Sequence, residues 1–72
     1  MVERTDFPGA ELLTPREREI LLQIVNGASN KETGRVIGIS PRTVEVHRAH
    51  IMQKLKARNI ADLVRIVLNV RL

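Results

Sequence analysis

Residues 40–55 constrain the fold most, because their sequence specifies a helix with a fixed start and two different faces. Ser40 is a good N-cap, since its hydroxyl can accept a hydrogen bond from a first-turn N–H, and Pro41 suits the first helical position, where no N–H is needed. With successive residues about 100° apart, one narrow stripe is aliphatic. This stripe consists of Val44, Ile51 and Leu55. We therefore predict a helix over about 41–56 whose aliphatic stripe faces a core.

The opposite face of this predicted helix differs from a face that meets only water. It combines polar and small apolar side chains: Arg42, Val46, Ala49 and Gln53, with Glu45 and His50 on the flanks. A helix that enters the major groove of DNA needs such a mixture. Polar tips reach base edges, small side chains allow close approach, and methyl groups meet thymine.

Composition bounds the class of protein. With 72 residues the chain forms one small domain, and its net charge of +4 favours a polyanionic partner without identifying one. The absence of cysteine excludes a disulfide framework and a thiolate zinc site, and the single aromatic residue, Phe7, excludes a base-stacking platform. No apolar run approaches the roughly 18 residues of a membrane span, and no signal peptide is evident. We predict a soluble, cytoplasmic domain without a membrane partner.

Two shorter helices are predicted ahead of this one. Thr14 as N-cap, Pro15 and Glu17 form a capping-box start, and Gly27 is placed to end the helix, which gives a first helix over about 15–26. Ser29 with Glu32 repeats the capping box, and Gly38 provides a stop, which gives a second helix over about 30–37. Since the turn to residue 40 is short, residues 28–49 form a predicted helix-turn-helix.

A fourth helix is predicted after residue 59. Asn59 can cap it, and one wide face is apolar: Ile60, Leu63, Val64, Val67 and Leu68. Ile66 and Val70 lie off this face, and we predict that they contact a second copy of the chain. At the other end of the chain, residues 1–12 have charges, Pro8 and Gly9 but no periodicity, so we predict a linker or flexible arm followed by a domain over residues 13–72.

Several motifs at fixed spacing resemble those of the LuxR/FixJ/NarL family of bacterial helix-turn-helix domains, and the likeness extends from Leu13 to Leu68. The matching motifs are Leu13-Thr14-Pro15-Arg16-Glu17, Asn30-Lys31-Glu32, Gly38-Ile39-Ser40, Arg42-Thr43-Val44-Glu45-Val46-His47-Arg48, Ile51 and Lys54-Leu55. The run from Ser40 to Ala49 looks most like FixJ-type response regulators. The chain departs from the family at Thr33-Gly34, where an aliphatic residue followed by alanine is more usual.

The resemblance implies an all-α, tetrahelical domain that binds specific duplex DNA and regulates transcription, with its third helix in the major groove. It also implies dimerisation through the fourth helix, an upstream receiver or sensor domain, and RNA polymerase as a further partner. The domain would be the output domain of a two-component response regulator.

Candidate DNA contacts fall into two groups. By position in the family motif, Glu45, Val46 and Ala49 match residues that face base edges. The exposed face of the predicted helix adds further base contacts: Arg42, His50 and Gln53. The alternative for Glu45 is ion pairing with neighbouring basic residues. Predicted phosphate contacts lie along one flank of the third helix and at the start of the second: Asn30, Lys31, Ser40, Thr43, His47 and Lys54.

Other functions have less support in the sequence. His47 and His50 are spaced for a metal, but structural zinc needs four ligands, so neither a metal nor a cofactor is predicted. No nucleophile stands beside a histidine and an acid, so the protein is not predicted to be an enzyme; Glu17, Glu19 and Glu32 are interpreted as caps and solvated charges. Two alternatives stay open: a protein-interaction module that uses the apolar fourth helix, and non-specific binding to the nucleoid.

Overall fold

The computed structural model describes residues 7–68, and this part of the chain contains four α-helices and no strand. They are, in chain order, α1 (Pro15–Val25), α2 (Asn30–Ile37), α3 (Pro41–Leu55) and α4 (Ile60–Leu68). One turn of 3-10 helix, Ala10–Leu12, precedes α1. The predicted all-α, tetrahelical fold is confirmed, and the predicted bounds of the first three helices differ from the observed ones by at most one residue.

The two predicted capping boxes fix the starts of α1 and α2. The Thr14 hydroxyl accepts a hydrogen bond from the Glu17 N–H at 3.2 Å, while the Glu17 carboxylate accepts one from the Thr14 N–H at 2.9 Å. Ser29 and Glu32 exchange the same pair of hydrogen bonds at 3.1 and 2.8 Å. Each box satisfies two N–H groups that the start of a helix leaves unpaired.

The turn between α2 and α3 brings two stretches of backbone into contact. Gly38 ends α2 with a φ of +87°, a conformation that glycine adopts without strain. Inside α2, a Cβ placed on Gly34 would lie 2.5 Å from the Ile39 carbonyl oxygen. The Gly34 carbonyl accepts from the N–H groups of Gly38 and Ile39 at 2.7 and 2.9 Å. The glycine that weakens α2 by propensity is therefore the residue that permits this close packing.

The core lies between α1, α3 and α4. Four of its aliphatic side chains have no exposed surface: Ile20, Val44, Ile51 and Leu63. The predicted aliphatic stripe of α3 is thus buried, which leaves the opposite face of that helix in solvent. On α4, Leu63 and Val67 are buried, but Ile60 and Leu68 each keep 37% of their surface exposed. Part of the apolar face of α4 is therefore exposed.

Residues 7–12 do not form a flexible arm, contrary to the prediction for residues 1–12. Phe7 and Ala10 are buried in the same apolar cluster as the helices, and the Arg18 guanidinium donates to the Ala10 carbonyl at 3.1 Å. A segment without periodicity is anchored here by one large apolar side chain, which the sequence pattern did not indicate. Residues 1–6, and Val70 of the predicted dimer contact, lie outside the described residues.

Candidate nucleic-acid interface

One face of α3 exposes all six of the predicted base contacts. These residues are Arg42, Glu45, Val46, Ala49, His50 and Gln53. Within residues 7–68, none of their side chains forms a hydrogen bond or an ion pair with another residue. Val46 is a large aliphatic residue, yet 50% of it is exposed. The buried stripe packs α3 against the core, so the six side chains on the opposite face are free to contact another molecule.

The structure does not support the alternative role of Glu45, which is ion pairing with neighbouring basic residues. Arg42, Arg48 and His50 all lie nearby in the sequence, but in the described part of the chain the Glu45 carboxylate forms no ion pair with any of them. An exposed acidic side chain on a basic domain thus lacks an internal role in this structure.

Asn30 and Arg48 form a bridge between the two helices of the motif. Arg48 Nη1 donates a hydrogen bond to Asn30 Oδ1 at 2.6 Å, and Asn30 is the first residue of α2. Both residues are half-buried, while Lys31 beside them is exposed. The Arg48 guanidinium thus reaches from α3 to α2.

Ser40 and Thr43 share a hydrogen-bonded cap at the start of α3. The Ser40 hydroxyl accepts from the Thr43 N–H at 3.1 Å and lies 2.9 Å from the Thr43 hydroxyl. Both residues are exposed. The cap holds the two hydroxyl groups together at the end of α3 that follows the turn.

His47 and Thr33 each bury a polar atom without a hydrogen-bond partner in the described part of the chain. These atoms are His47 Nδ1 and Thr33 Oγ1. His47 is otherwise half-buried, whereas Thr33 keeps only 1% of its surface exposed. His47 thus stands at the edge of the interior, and one of its two ring nitrogens is removed from solvent.

The structure gives Lys54 a contact other than the predicted one with phosphate. Its ammonium donates to the Glu17 carboxylate at 2.7 Å, and the Glu17 side chain keeps only 5% of its surface exposed. A phosphate that drew Lys54 away would leave a buried carboxylate without its counter-ion, which is costly. We therefore remove Lys54 from the set of phosphate contacts. The interpretation of Glu17 as a cap is confirmed, but Glu17 is not a solvated charge.

The Glu17 carboxyl is charged in spite of its burial. Burial raises its pKa, but hydrogen bonds from the Lys54 ammonium and the Thr14 backbone outweigh burial and hold the pKa below the ordinary value of 4.5. The charged form is favoured because donors surround it. Glu17 and Lys54 thus join the first turn of α1 to the last turn of α3.

Neither bridge between helices followed from helical spacing. Glu17 and Lys54 are 37 residues apart, and Asn30 and Arg48 are 18 apart, so no local periodicity relates the partners. The available signal was the position of Lys54 and Arg48 at the borders of the aliphatic stripe, where a long basic side chain meets the neighbouring helix rather than water.

Positive charge without an ion-pair partner gathers on α2 and α3. Within residues 7–68, the ion pairs join Lys54 to Glu17 and both Arg58 and Arg65 to Asp62. Four basic side chains of the motif stay outside these pairs: Lys31, Arg35, Arg42 and Arg48. The two helices therefore present a positive field that attracts a polyanion.

Two further findings concern other kinds of site. Among residues 7–68, no group of three or more histidine, cysteine, aspartate or glutamate side chains is placed to hold a metal ion. No helix in the same span is long and apolar enough to cross a membrane.

Two helices joined by a tight turn, with the second exposing a polar face flanked by unpaired basic groups, define a helix-turn-helix DNA-binding domain. A model of the luxR family of bacterial regulatory proteins matches residues 11–67, and the chain belongs to this family. The resemblance seen in the sequence motifs is thereby confirmed. The domain binds DNA in the regulation of transcription, and it is not an enzyme.

Relatives with known names and structures agree with this family. The chain is 52% identical, over 78% of its length, to the transcriptional regulatory protein FixJ of Azorhizobium caulinodans. It resembles the solution structure of the C-terminal transcriptional activator domain of FixJ from Sinorhizobium meliloti, with a TM-score of 0.76 and 43% identity over 94% of this chain and 87% of that domain. It also resembles full-length FixJ from B. japonicum, with a TM-score of 0.75 and 43% identity over 81% of this chain and 29% of that one. The match covers 26% of the A. caulinodans protein, so the chain spans about a quarter of that relative.

Proposed function

We propose that α3 enters the major groove of a specific duplex site and that this contact directs the regulator to its target. The observation that supports this most is the exposed face of α3, where six side chains have no internal partner within residues 7–68 while a buried stripe holds the helix from behind. The major groove admits an α-helix, and each base pair presents a distinct pattern of donors, acceptors and methyl groups there.

The chemistry of the face suggests which bases it prefers. Glu45 accepts a hydrogen bond from a cytosine amino group, Val46 contacts a thymine methyl group, and Arg42 donates to guanine acceptors. Gln53 can pair with adenine through both atoms of its amide. The proposed base contacts are Arg42, Glu45, Val46, Ala49, His50 and Gln53.

Contacts to the DNA backbone are proposed for the residues that border this face. They are Asn30, Lys31, Ser40, Thr43 and His47. Lys31 supplies a charge without an ion-pair partner in the described part of the chain, and Thr43 supplies a hydroxyl at the start of α3. Each phosphate that a basic side chain neutralises steepens the fall of log affinity with log salt concentration by about 0.9.

A homodimer on two related half-sites is proposed, with α4 as the contact. The proposal is supported by apolar side chains on α4 that are exposed, at Ile60 and Leu68, or half-buried, at Ile66. Val70 is included from the sequence prediction. A single copy covers few base pairs, so a second copy adds affinity and sets the half-site spacing.

A receiver domain upstream of this chain is also proposed, with phosphorylation as the signal. The chain spans about a quarter of FixJ from A. caulinodans and of a tetrathionate response regulatory protein from Salmonella typhimurium, to which it is 45% identical. Contact with RNA polymerase and a cytoplasmic location follow from the same role, because a bacterial regulator meets the chromosome and the polymerase there.

Selection of the purified domain on randomised duplex DNA, from low to moderate salt, tests the proposal. Enrichment of an inverted or direct repeat is the expected result, and the spacing of its halves gives the dimer geometry. Binding without enrichment would contradict sequence-specific contact by α3 and favour the nucleoid-binding alternative. No binding at low salt would favour the protein-interaction module instead.

A further inference from the structure

We propose that Arg48 is a positioning residue for DNA recognition, which acts through Asn30 to fix the orientation of α3 against α2. The inference rests on the proposed use of α3 as the helix that contacts bases. Arg48 projects from α3 and donates to the Asn30 side chain at 2.6 Å. Within residues 7–68, this is the only side-chain hydrogen bond that joins α2 to α3.

The location of the Asn30–Arg48 hydrogen bond explains how it sets the angle between α2 and α3. Near the turn, Gly34 packs against the Ile39 carbonyl, so the two helices are already fixed at that end. Asn30 is at the opposite end of α2, and Arg48 lies about two helical turns into α3. The buried stripe of α3 packs that helix against the core, and the Asn30–Arg48 hydrogen bond adds an attachment between α2 and α3 at the end of α2 away from their turn.

The chemistry of the bridge suits a rigid attachment. Arginine presents planar N–H donors, and a hydrogen bond with one charged partner is shorter and stronger than a neutral one. Arg48 forms no ion pair in the described part of the chain, so the Asn30 amide is the partner that holds the guanidinium. Glu45 lies about one turn before Arg48 and Ala49 directly follows it, so a rotation of α3 moves both proposed base contacts.

The test compares the wild-type domain with Arg48→Met, Asn30→Ala and the double variant, each on its preferred site and on single-base variants of that site. Arg48→Met keeps an apolar stem and removes the guanidinium. We expect each single variant to weaken binding about tenfold and to lose discrimination at the bases nearest Glu45 and Ala49. The double variant should bind no more weakly than the weaker single variant, because both substitutions break the same bridge.

Three controls separate positioning from direct contact and from simple loss of stability. The salt slope of Arg48→Met should equal that of wild type, whereas loss of a phosphate contact would reduce its magnitude by about 0.9. Asn30→Asp keeps an acceptor oxygen for Arg48, so it should restore the wild-type base preference that Asn30→Ala loses. Unfolding by urea reports the stability of every variant and should not parallel the loss of discrimination.

A reduced salt slope in Arg48→Met, additive losses in the double variant, or an unchanged base preference in Asn30→Ala would each overturn the inference. Failure of the wild-type domain to prefer any sequence would instead count against base contact by α3. The two failures are therefore distinguishable.

Discussion

Lys54 in the last turn of α3 donates a 2.7 Å hydrogen bond to Glu17 in the first turn of α1. Glu17 also caps its own helix by accepting from the Thr14 N–H, so one carboxylate serves both a local and a long-range contact. The contact secures the end of α3 that lies farthest from the turn of the motif. The ion pair therefore connects the stability of the domain to the placement of α3.

Replacement of Lys54 by methionine should lower the free energy of unfolding by about 1–2 kcal/mol, because the buried Glu17 carboxylate loses its cation. The side chain of Lys54 is 35% exposed, which keeps the loss moderate. Urea denaturation measures it, with Lys56→Met as the control, since Lys56 forms no ion pair in the described part of the chain. Equal losses in both variants, or a shallower salt slope for DNA binding by Lys54→Met, would contradict this assignment.

Acid should destabilise the domain through its depressed carboxyl pKa values. The pKa of Glu17 lies below 4.5. A hydrogen bond from the Ser29 backbone lowers the pKa of Glu32, and one from the Arg65 side chain lowers that of Asp62. Each lowered pKa adds stability that is present above the unfolded value and lost as pH falls through the folded value, because the unfolded chain binds the proton more readily. The free energy of unfolding should therefore be steady above about pH 5 and fall below it.

Urea denaturation at a series of pH values checks this dependence. Glu17→Gln removes one titrating group, so its stability should be lower at neutral pH and decline less steeply in acid. A wild-type domain that becomes more stable in acid would contradict the prediction.

Replacement of Thr33 by valine should stabilise the domain by about 1 kcal/mol, because the Thr33 hydroxyl is buried without a partner in the described part of the chain. Valine has nearly the same shape and no hydroxyl to desolvate. Thr43→Val is the matched control, since the exposed Thr43 hydroxyl lies 2.9 Å from the Ser40 hydroxyl and should gain nothing by removal. Thermal unfolding distinguishes the two, and a destabilised Thr33→Val variant would mean that an ordered water satisfies the hydroxyl.

Replacement of Glu45 by alanine should change the preferred DNA sequence while leaving stability within about 0.5 kcal/mol of wild type, as expected for an exposed side chain without an internal contact within residues 7–68. Selection on randomised duplex DNA, performed in parallel with wild type, measures the change. The expected loss is the preference for one cytosine, worth about 1–3 kcal/mol of discrimination. An identical selected sequence would remove Glu45 from the base contacts.

The double substitution Ile66→Glu and Val70→Glu should weaken DNA binding and abolish its cooperativity without unfolding the domain. Like charges would then face each other across the proposed α4 contact, and the half-buried position of Ile66 tolerates a carboxylate better than a core position would. Binding isotherms on a full site and on an isolated half-site provide the measurement. If affinity and cooperativity stay at wild-type levels, α4 is not the dimer contact.

The helices could be predicted because their determinants are local. Capping residues such as Thr14 and Ser29, the proline at the start of α3 and the period of its aliphatic stripe all act within a few residues along the chain. The exposed face of α3 follows from the same period, since the side opposite a buried stripe meets solvent. Whether each residue on that face contacts a base stays a prediction.

The long-range contacts could not be predicted from local patterns. The sequence predicts a phosphate contact for Lys54, because its partner Glu17 lies far away in the chain, and Phe7 anchors a segment that has no helical or strand period. Arg48 borders the aliphatic stripe of α3, but its partner Asn30 depends on how α2 and α3 cross. Such pairs are set by tertiary geometry rather than by spacing in the sequence.

The close packing at Gly34 bears on which substitutions change the DNA sequence that this domain prefers. Because the meeting of α2 with the turn is a contact between main-chain atoms, no side chain there can be enlarged or trimmed to alter the frame. The exposed side chains of α3 take no part in this contact between α2 and the turn. Substitutions on that face therefore leave the close contact at Gly34 unchanged.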